Sequence, residues 1–230
     1  MAGSFVAGAW LAGAETLDAA AVRGHDAAAA NVAPAHRQPT WEYGPFINYG
    51  NGLSNRDTYR FLSAGFQWGK QLFPVTHTGS FEFGGNIMPL WLAYTPAPHD
   101  QDVIIGGTNY GEFPYGGGTY RGVSITPVIF RWNFHTWRER IQPWIQGAGG
   151  VIYTTHKFPP DELVVHGTPG GTCVWNFSPQ GGGGIHIFTR ARRSIDIGVN
   201  GEHISSASLG DKNPGVNASI QVQVGYTFWK

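Results

Sequence analysis

Ala218-Ser219-Ile220-Gln221-Val222-Gln223-Val224-Gly225-Tyr226-Thr227-Phe228 alternates between apolar and polar residues. In a β-strand successive side chains point to opposite faces. Ile220, Val222, Val224 and Tyr226 therefore share one face, and Gln221 and Gln223 lie on the other. The aromatic ending has the character of the last strand of an outer-membrane barrel.

Working back from that strand, similar segments recur as far as Trp41, separated by Gly/Pro/Asn/Asp clusters. They run Trp41 to Tyr49, Tyr59 to Gly69, Ser80 to Tyr94, Tyr120 to Phe134, Ile141 to Tyr153, Phe177 to Phe188 and Ser194 to Ser205. In the third, Phe81, Phe83, Ile87 and Trp91 are expected in register on one face, with Glu82 and Asn86 opposite. With the final strand this makes eight, the smallest common barrel size in outer membranes. The links alternate as well. Lys70 to Gly79, His135 to Arg140 and Thr189 to Arg193 are short, whereas Thr95 to Thr119 and Thr154 to Asn176 are long. Short periplasmic turns and long external loops are the layout of an up-and-down barrel. The link Gly50 to Thr58 is shorter than this rule asks.

Composition agrees. Only 13% of the 230 residues are charged, against about a quarter in an ordinary soluble domain, while aromatics reach 14% and glycines number 34. The apolar face of most strands carries Trp, Tyr and Phe. The opposite face carries Gln67, Glu82, Gln142, Gln146, Asp196, Asn200, Gln221 and Gln223. A soluble sandwich or lipocalin-like barrel would put its polar set outside; a membrane barrel puts it in the lumen. The fold class expected is all-β, an eight-stranded antiparallel up-and-down transmembrane β-barrel. A net charge of zero provides no field for a polyanion, so nucleic acid is not a partner expected here. Cys173 is the lone cysteine, which rules out an internal disulfide.

Phe5 to Ala14 is apolar and Ala12-Gly13-Ala14 reads as a cleavage site, but no Lys or Arg precedes it. Residues 1–40 are read as a leader remnant or flexible arm, and residues 41–230 as the barrel domain.

One pair on the strand before last carries chemistry. Ile195, Ile197 and Val199 share the odd parity with His203 and Ser205, so the pair is expected on the lipid face at an external strand end. Residues two apart on a strand stand about 6.5 to 7 Å apart at the backbone. A serine hydroxyl becomes a useful nucleophile when a histidine in reach removes its proton. A third group should orient the imidazole.

His203-Ile204-Ser205-Ser206-Ala207, a short loop, Asn213-Pro214-Gly215-Val216-Asn217 and a Gly-Tyr-x-Phe terminal strand together resemble the lipid A 3-O-deacylase (PagL-like) family. The motif resemblance covers the C-terminal thirty residues or so; elsewhere the agreement is in architecture. It implies an outer-membrane esterase that removes an ester-linked 3-hydroxyacyl chain from lipid A of lipopolysaccharide, with its active site near the outer leaflet. His203 would be the general base and Ser205 the nucleophile. The family's Asn after the serine, which helps hold the oxyanion, is replaced by Ser206. The family's Glu twelve residues on is replaced by Asn217. The third member is thus either Asn217 or Asp211 in the preceding loop. Lipid A and other outer-membrane lipids are the partners implied, and a second copy of the chain is a further candidate. Neither a cofactor nor a metal is expected. The alternative is a catalytically silent small barrel with a structural or adhesion role.

Other features weigh less. His156, Asp161, Glu162 and His166 match no metal-ligand spacing and read as a solvated loop. Gly181 to Gly184 lacks the Lys and Ser/Thr of a phosphate loop and reads as a place for a tight bend or a close approach within a strand. Arg138, Arg140, Arg190, Arg192 and Arg193 crowd two short turns, as a solvated periplasmic rim would, with contact to anionic lipid heads as the alternative.

Overall fold

The computed structural model describes residues 41–75, 78–138, 140–160, 173–207 and 217–230. The leader expected over residues 1–40 lies outside them.

Alternation builds eight long strands: β1 (Trp41–Gly52), β2 (Arg60–Val75), β3 (Gly79–Tyr94), β6 (Thr119–Phe134), β7 (Ile141–Phe158), β8 (Cys173–Arg190), β9 (Arg193–His203) and β10 (Ala218–Trp229). They close in the order β1-β10-β9-β8-β7-β6-β3-β2, each pair antiparallel. Closure satisfies the backbone without an edge, which a bilayer demands of any spanning sheet. The last strand meets the first over Glu42↔Trp229 to Gly52↔Ser219. All eight expected strands are present, most of them longer than the sequence reading.

Two features depart from that reading. The first long loop contains a two-stranded hairpin, β4 (His99–Ile105) and β5 (Thr108–Tyr115), turning at Gly106-Gly107. Trp91, expected outside with Ile87, is instead 1% exposed inside the barrel. The reason is Pro89, which has no N–H to give the ladder. β3 bulges there, Met88 pairing Ser124 and Trp91 pairing Gly122, and a bulge reverses the parity of the residues beyond it.

Outside, the barrel presents two aromatic girdles. Trp41, Tyr43, Phe73 and Phe134 stand at the end of the short turns, and Tyr49, Tyr94, Tyr153, Trp175 and Phe177 toward the long loops; all are exposed. Ile47, Ile125, Ile145, Ile197, Val199 and Val222 fill the band between. This is the outer surface of a lipid-embedded barrel.

Inside, the polar set sits where the membrane reading put it. Arg131 Nη1 meets Glu42 Oε1 at 2.5 Å and Glu82 Oε1 at 3.2 Å, and its Nη2 donates to Gln146 Oε1 at 3.0 Å. From Gln146 the hydrogen bonds run on to Asn200 (3.0 Å), Gln223 (2.8 Å) and Gln67 (3.1 Å), crossing the lumen. Toward the short turns, Asp196 accepts from Ser194 at 2.7 Å and from Thr227, and pairs with His186 at 2.7 Å. Gly184 and Gly198 clear the space for the Trp144 indole, where a Cβ would come within 2.6 and 2.7 Å of the ring. That ring in turn lies 4.8 Å from the Arg131 guanidinium carbon. The expected close approach in β8 is real at Gly184, but Gly181 would meet only the Gln146 carbonyl at 3.9 Å.

The end with the long loops is built differently. Tyr59, Phe61, Trp91, Ala93, Tyr120, Ile152, Phe158 and Ile204 form one buried apolar cluster. Phe158 is its centre, with ring centroids 5.4 Å from Trp91, 5.1 Å from Tyr120 and 6.4 Å from Phe61. Aromatic pairs of this geometry contribute about 0.5–1.5 kcal/mol each beyond their burial.

Candidate active site

The site is organised by how β9 ends. Along this strand Ile195, Ile197 and Val199 are exposed while Asp196, Asn200 and Glu202 are buried, so odd residues face outward. His203, the last residue of the strand, keeps that parity and is half-buried. It pairs with Ala218 of β10. On its other side the β8–β9 register, Gln180↔Glu202 and Gly181↔Gly201, sets Pro179 opposite His203. Proline has no N–H to donate, and the regular ladder stops.

Pairing resumes two residues later. Phe177 N–H donates to Ser205 O at 2.7 Å and Ser205 N–H to Phe177 O at 3.0 Å. The bridge keeps the same register. Directly opposed residues in an antiparallel pair share a face, and Phe177 is 43% exposed on the outer wall. Ser205 is thus on the lipid side with His203, although its own exposure is only 9%. Between them Ile204 turns inward to the apolar cluster, and its N–H donates to Asn217 O at 2.9 Å.

Two backbone details frame the serine. Ala207 holds φ at +49°, a left-handed conformation that costs a non-glycine residue roughly 1–2 kcal/mol. It directs its N–H to Ser205 Oγ at 3.1 Å. Nothing in the sequence distinguishes Ala207 for such a role. Ser206 is 1% exposed, and its Oγ has no hydrogen-bond partner among the described residues.

The remaining sequence candidates scatter. Asn217 is buried and accepts from Arg56 Nε at 3.2 Å; Arg56 also donates to Tyr59 Oη at 2.9 Å. This places Asn217 on the inner face, opposite Ile204, while the His203 ring lies on the outer parity. Among the described residues no hydrogen bond joins the His203 ring to Ser205 or Asn217. Asp211 lies outside the described residues, as do Asp161, Glu162 and His166. No group of three or more metal-ligating side chains occurs among the described residues. Arg56 and Tyr59 were missed by sequence reasoning: Arg56 and Asn217 are 161 positions apart, and only closure of the barrel brings them together.

An inward Ile204 flanked by an outward His203 and Ser205 leaves a base and a hydroxyl on one lipid-facing edge, with a backbone N–H beside the hydroxyl. That set can support nucleophilic attack on an acyl group.

The chain matches a family model described as lipid A 3-O-deacylase (PagL) over residues 61–227. Among solved structures, Neisserial surface protein A aligns with a TM-score of 0.52 at 10% identity, covering 83% of this chain and 99% of that one. The outer-membrane enzyme PagL aligns with a TM-score of 0.43 at 14% identity, covering 80% and 98%. The N-terminal β-barrel domain of Pseudomonas aeruginosa OprF aligns with a TM-score of 0.40 at 10% identity, covering 84% and 100%. Among curated proteins none matches the chain in sequence.

Proposed function

The chain belongs to the lipid A 3-O-deacylase (PagL) family, and we propose that it is an esterase hydrolysing an ester-linked 3-hydroxyacyl chain of lipopolysaccharide at its lipid-facing wall. Its barrel is of the outer-membrane type, and the family is one of hydrolases. The substrate approaches sideways from the outer leaflet. His203 rotates toward Ser205 and takes the hydroxyl proton as Oγ attacks the ester carbonyl. Such bonds are commonly loose before substrate arrives. The Ala207 N–H donates to Oγ before substrate binds; turned from Oγ to the substrate's carbonyl oxygen, it would be a donor for the developing oxyanion. Collapse expels the sugar alkoxide, which receives the proton from His203. Water, activated by the same imidazole, then releases the fatty acid and restores Ser205.

The observation that carries this reading is the Ser205–Phe177 bridge, which extends the outward register of β9 beyond Pro179 and keeps nucleophile and base on one side. Asn217 is proposed as a positioning residue that acts through its carbonyl on Ile204, between the two; Asp211 is the other candidate for orienting His203. Mass spectrometry of lipid A from cells with and without the protein tests the reading. A loss equal to one hydroxyacyl chain is expected; identical spectra would overturn it. One observation favours the silent barrel instead: Asn217, at the family's Glu position, is engaged by Arg56.

A further inference from the structure

The tight turn from β8 to β9 carries three arginines in four residues, Arg190-Ala191-Arg192-Arg193. Arg190 and Arg193 pair directly across it, and directly opposed residues share a face. That face is the outer wall, because Arg193 continues the outward parity of Ile195 and Ile197. Like charges so opposed repel. Arg190, Arg192 and Arg193 are all exposed, and none forms an ion pair among the described residues.

The backbone of the turn is tied on both sides. Trp229 N–H donates to Arg192 O at 3.0 Å, and Thr189 Oγ1 to Arg193 O at 3.3 Å. Phe188 N–H donates to Arg140 O at 2.8 Å, which brings the β6–β7 turn and its exposed Arg140 alongside.

Aromatic neighbours set the depth. The Arg193 guanidinium carbon lies 5.7 Å from the centre of the Phe228 ring, and Phe228 stacks on Tyr43 of the girdle at 5.7 Å. On the other flank, exposed Trp137 bridges Ile141, which pairs with Ile187 of β8. Such girdles mark the level of the lipid headgroups. The charge is also local. Residues 71–80, which span the β2–β3 turn, contain no Lys or Arg. The exposed carboxylates among the described residues, Asp57, Asp100, Asp102 and Glu112, all stand at the long-loop end.

We propose that the β8–β9 turn docks the phosphodiester headgroup of an anionic glycerophospholipid in the leaflet at the short turns. Arg190 and Arg193 take the phosphate between them, which relieves their repulsion, and Arg192 and Arg140 add to the attraction. Guanidinium forks bind phosphate through paired, charge-assisted hydrogen bonds. Basic clusters at a membrane surface select anionic headgroups. The occupant is a lipid because the opposed pair lies on the bilayer-facing wall, against the girdle. The turn is at the end of β9 away from Ser205, so the site does not depend on the esterase reading.

The test uses the full-length protein in vesicles of phosphatidylcholine containing a minority of phosphatidylglycerol. Each lipid is supplied in turn with a photoreactive group near its headgroup, and each variant is checked for folding by its heat-dependent mobility shift. In the wild type, phosphatidylglycerol is expected to label residues 187–194 above the level given by phosphatidylcholine. Arg190→Gln combined with Arg193→Gln is expected to lower that preference roughly fivefold per arginine removed, the weight of one basic residue at an anionic surface. Arg121→Gln, at an exposed arginine of the long-loop end, is expected to keep the wild-type preference. Equal labelling by both lipids in the wild type would leave the turn to a soluble acidic partner and overturn the proposal. So would a preference that survives the paired Gln substitutions or falls in Arg121→Gln. Phosphate salt that displaces the probe better than chloride at equal ionic strength would make the ligand a free anion, which contradicts the lipid assignment.

Discussion

The two ends of the lumen solve the same problem with opposite chemistry. From the short turns to the middle, the interior is a hydrogen-bonded network around Arg131 and Asp196. Toward the long loops it is an aromatic cluster around Phe158. Both fill the barrel, but they constrain it differently. A polar network fixes its members by direction and tolerates little loss, because each carboxylate left without a cation keeps its desolvation cost. A packed apolar cluster fixes position by shape. The candidate site stands on the second: Ile204 is a member of the cluster, and His203 and Ser205 are its outward neighbours. The difference teaches that the barrel's rigidity and the site's geometry can be perturbed separately.

Arg131→Met should have the largest effect on stability. It leaves Glu42 and Glu82 buried without their cation, at a cost of about 3–5 kcal/mol, and should sharply lower the thermal midpoint of the barrel in detergent. Hydrolysis per folded molecule should change little. Ile204→Ala sharpens the contrast from the other side. Removing a buried isoleucine costs about 2–5 kcal/mol, and here lipid A hydrolysis should fall well below what the folded fraction explains. If the two variants affect activity per folded molecule equally, the division between ends is broken.

Asn217→Ala comes next. It takes an acceptor from buried Arg56, a loss on the order of 1–3 kcal/mol, measured by the same melting experiment. It leaves the backbone bond to Ile204 in place, so activity should fall less than with a substitution at His203. Smallest of all is Gly147→Ala on the outer wall, where a Cβ meets nothing within 4 Å. Its melting midpoint should correspond to a change within about 0.5 kcal/mol.

Much of this was legible in the sequence, for a simple reason. Period-two alternation records which face of a strand meets lipid, and all eight barrel strands were readable from it. The outward parity of His203 came from the same pattern. What escaped has particular causes. Trp91 lies beyond the Pro89 bulge, where counting by twos fails. The β4–β5 hairpin did carry a signal, since Gly106 and Gly107 both adopt positive φ, as a tight hairpin turn requires. Its short strands merged with loop composition. Ala207 is ordinary by type and informative only by its dihedral angle. The Arg56–Asn217 bond depends on barrel closure, which no local pattern encodes.

The central claim is that Ser205 and His203 act together on the outer wall. The direct measurement is release of 3-hydroxy fatty acid from purified lipopolysaccharide by the wild-type protein, Ser205→Ala and His203→Ala. Folding of each is monitored by its heat-dependent shift in electrophoretic mobility. Release is expected from the wild type and from neither folded variant; undiminished release by both would contradict a joint role for Ser205 and His203.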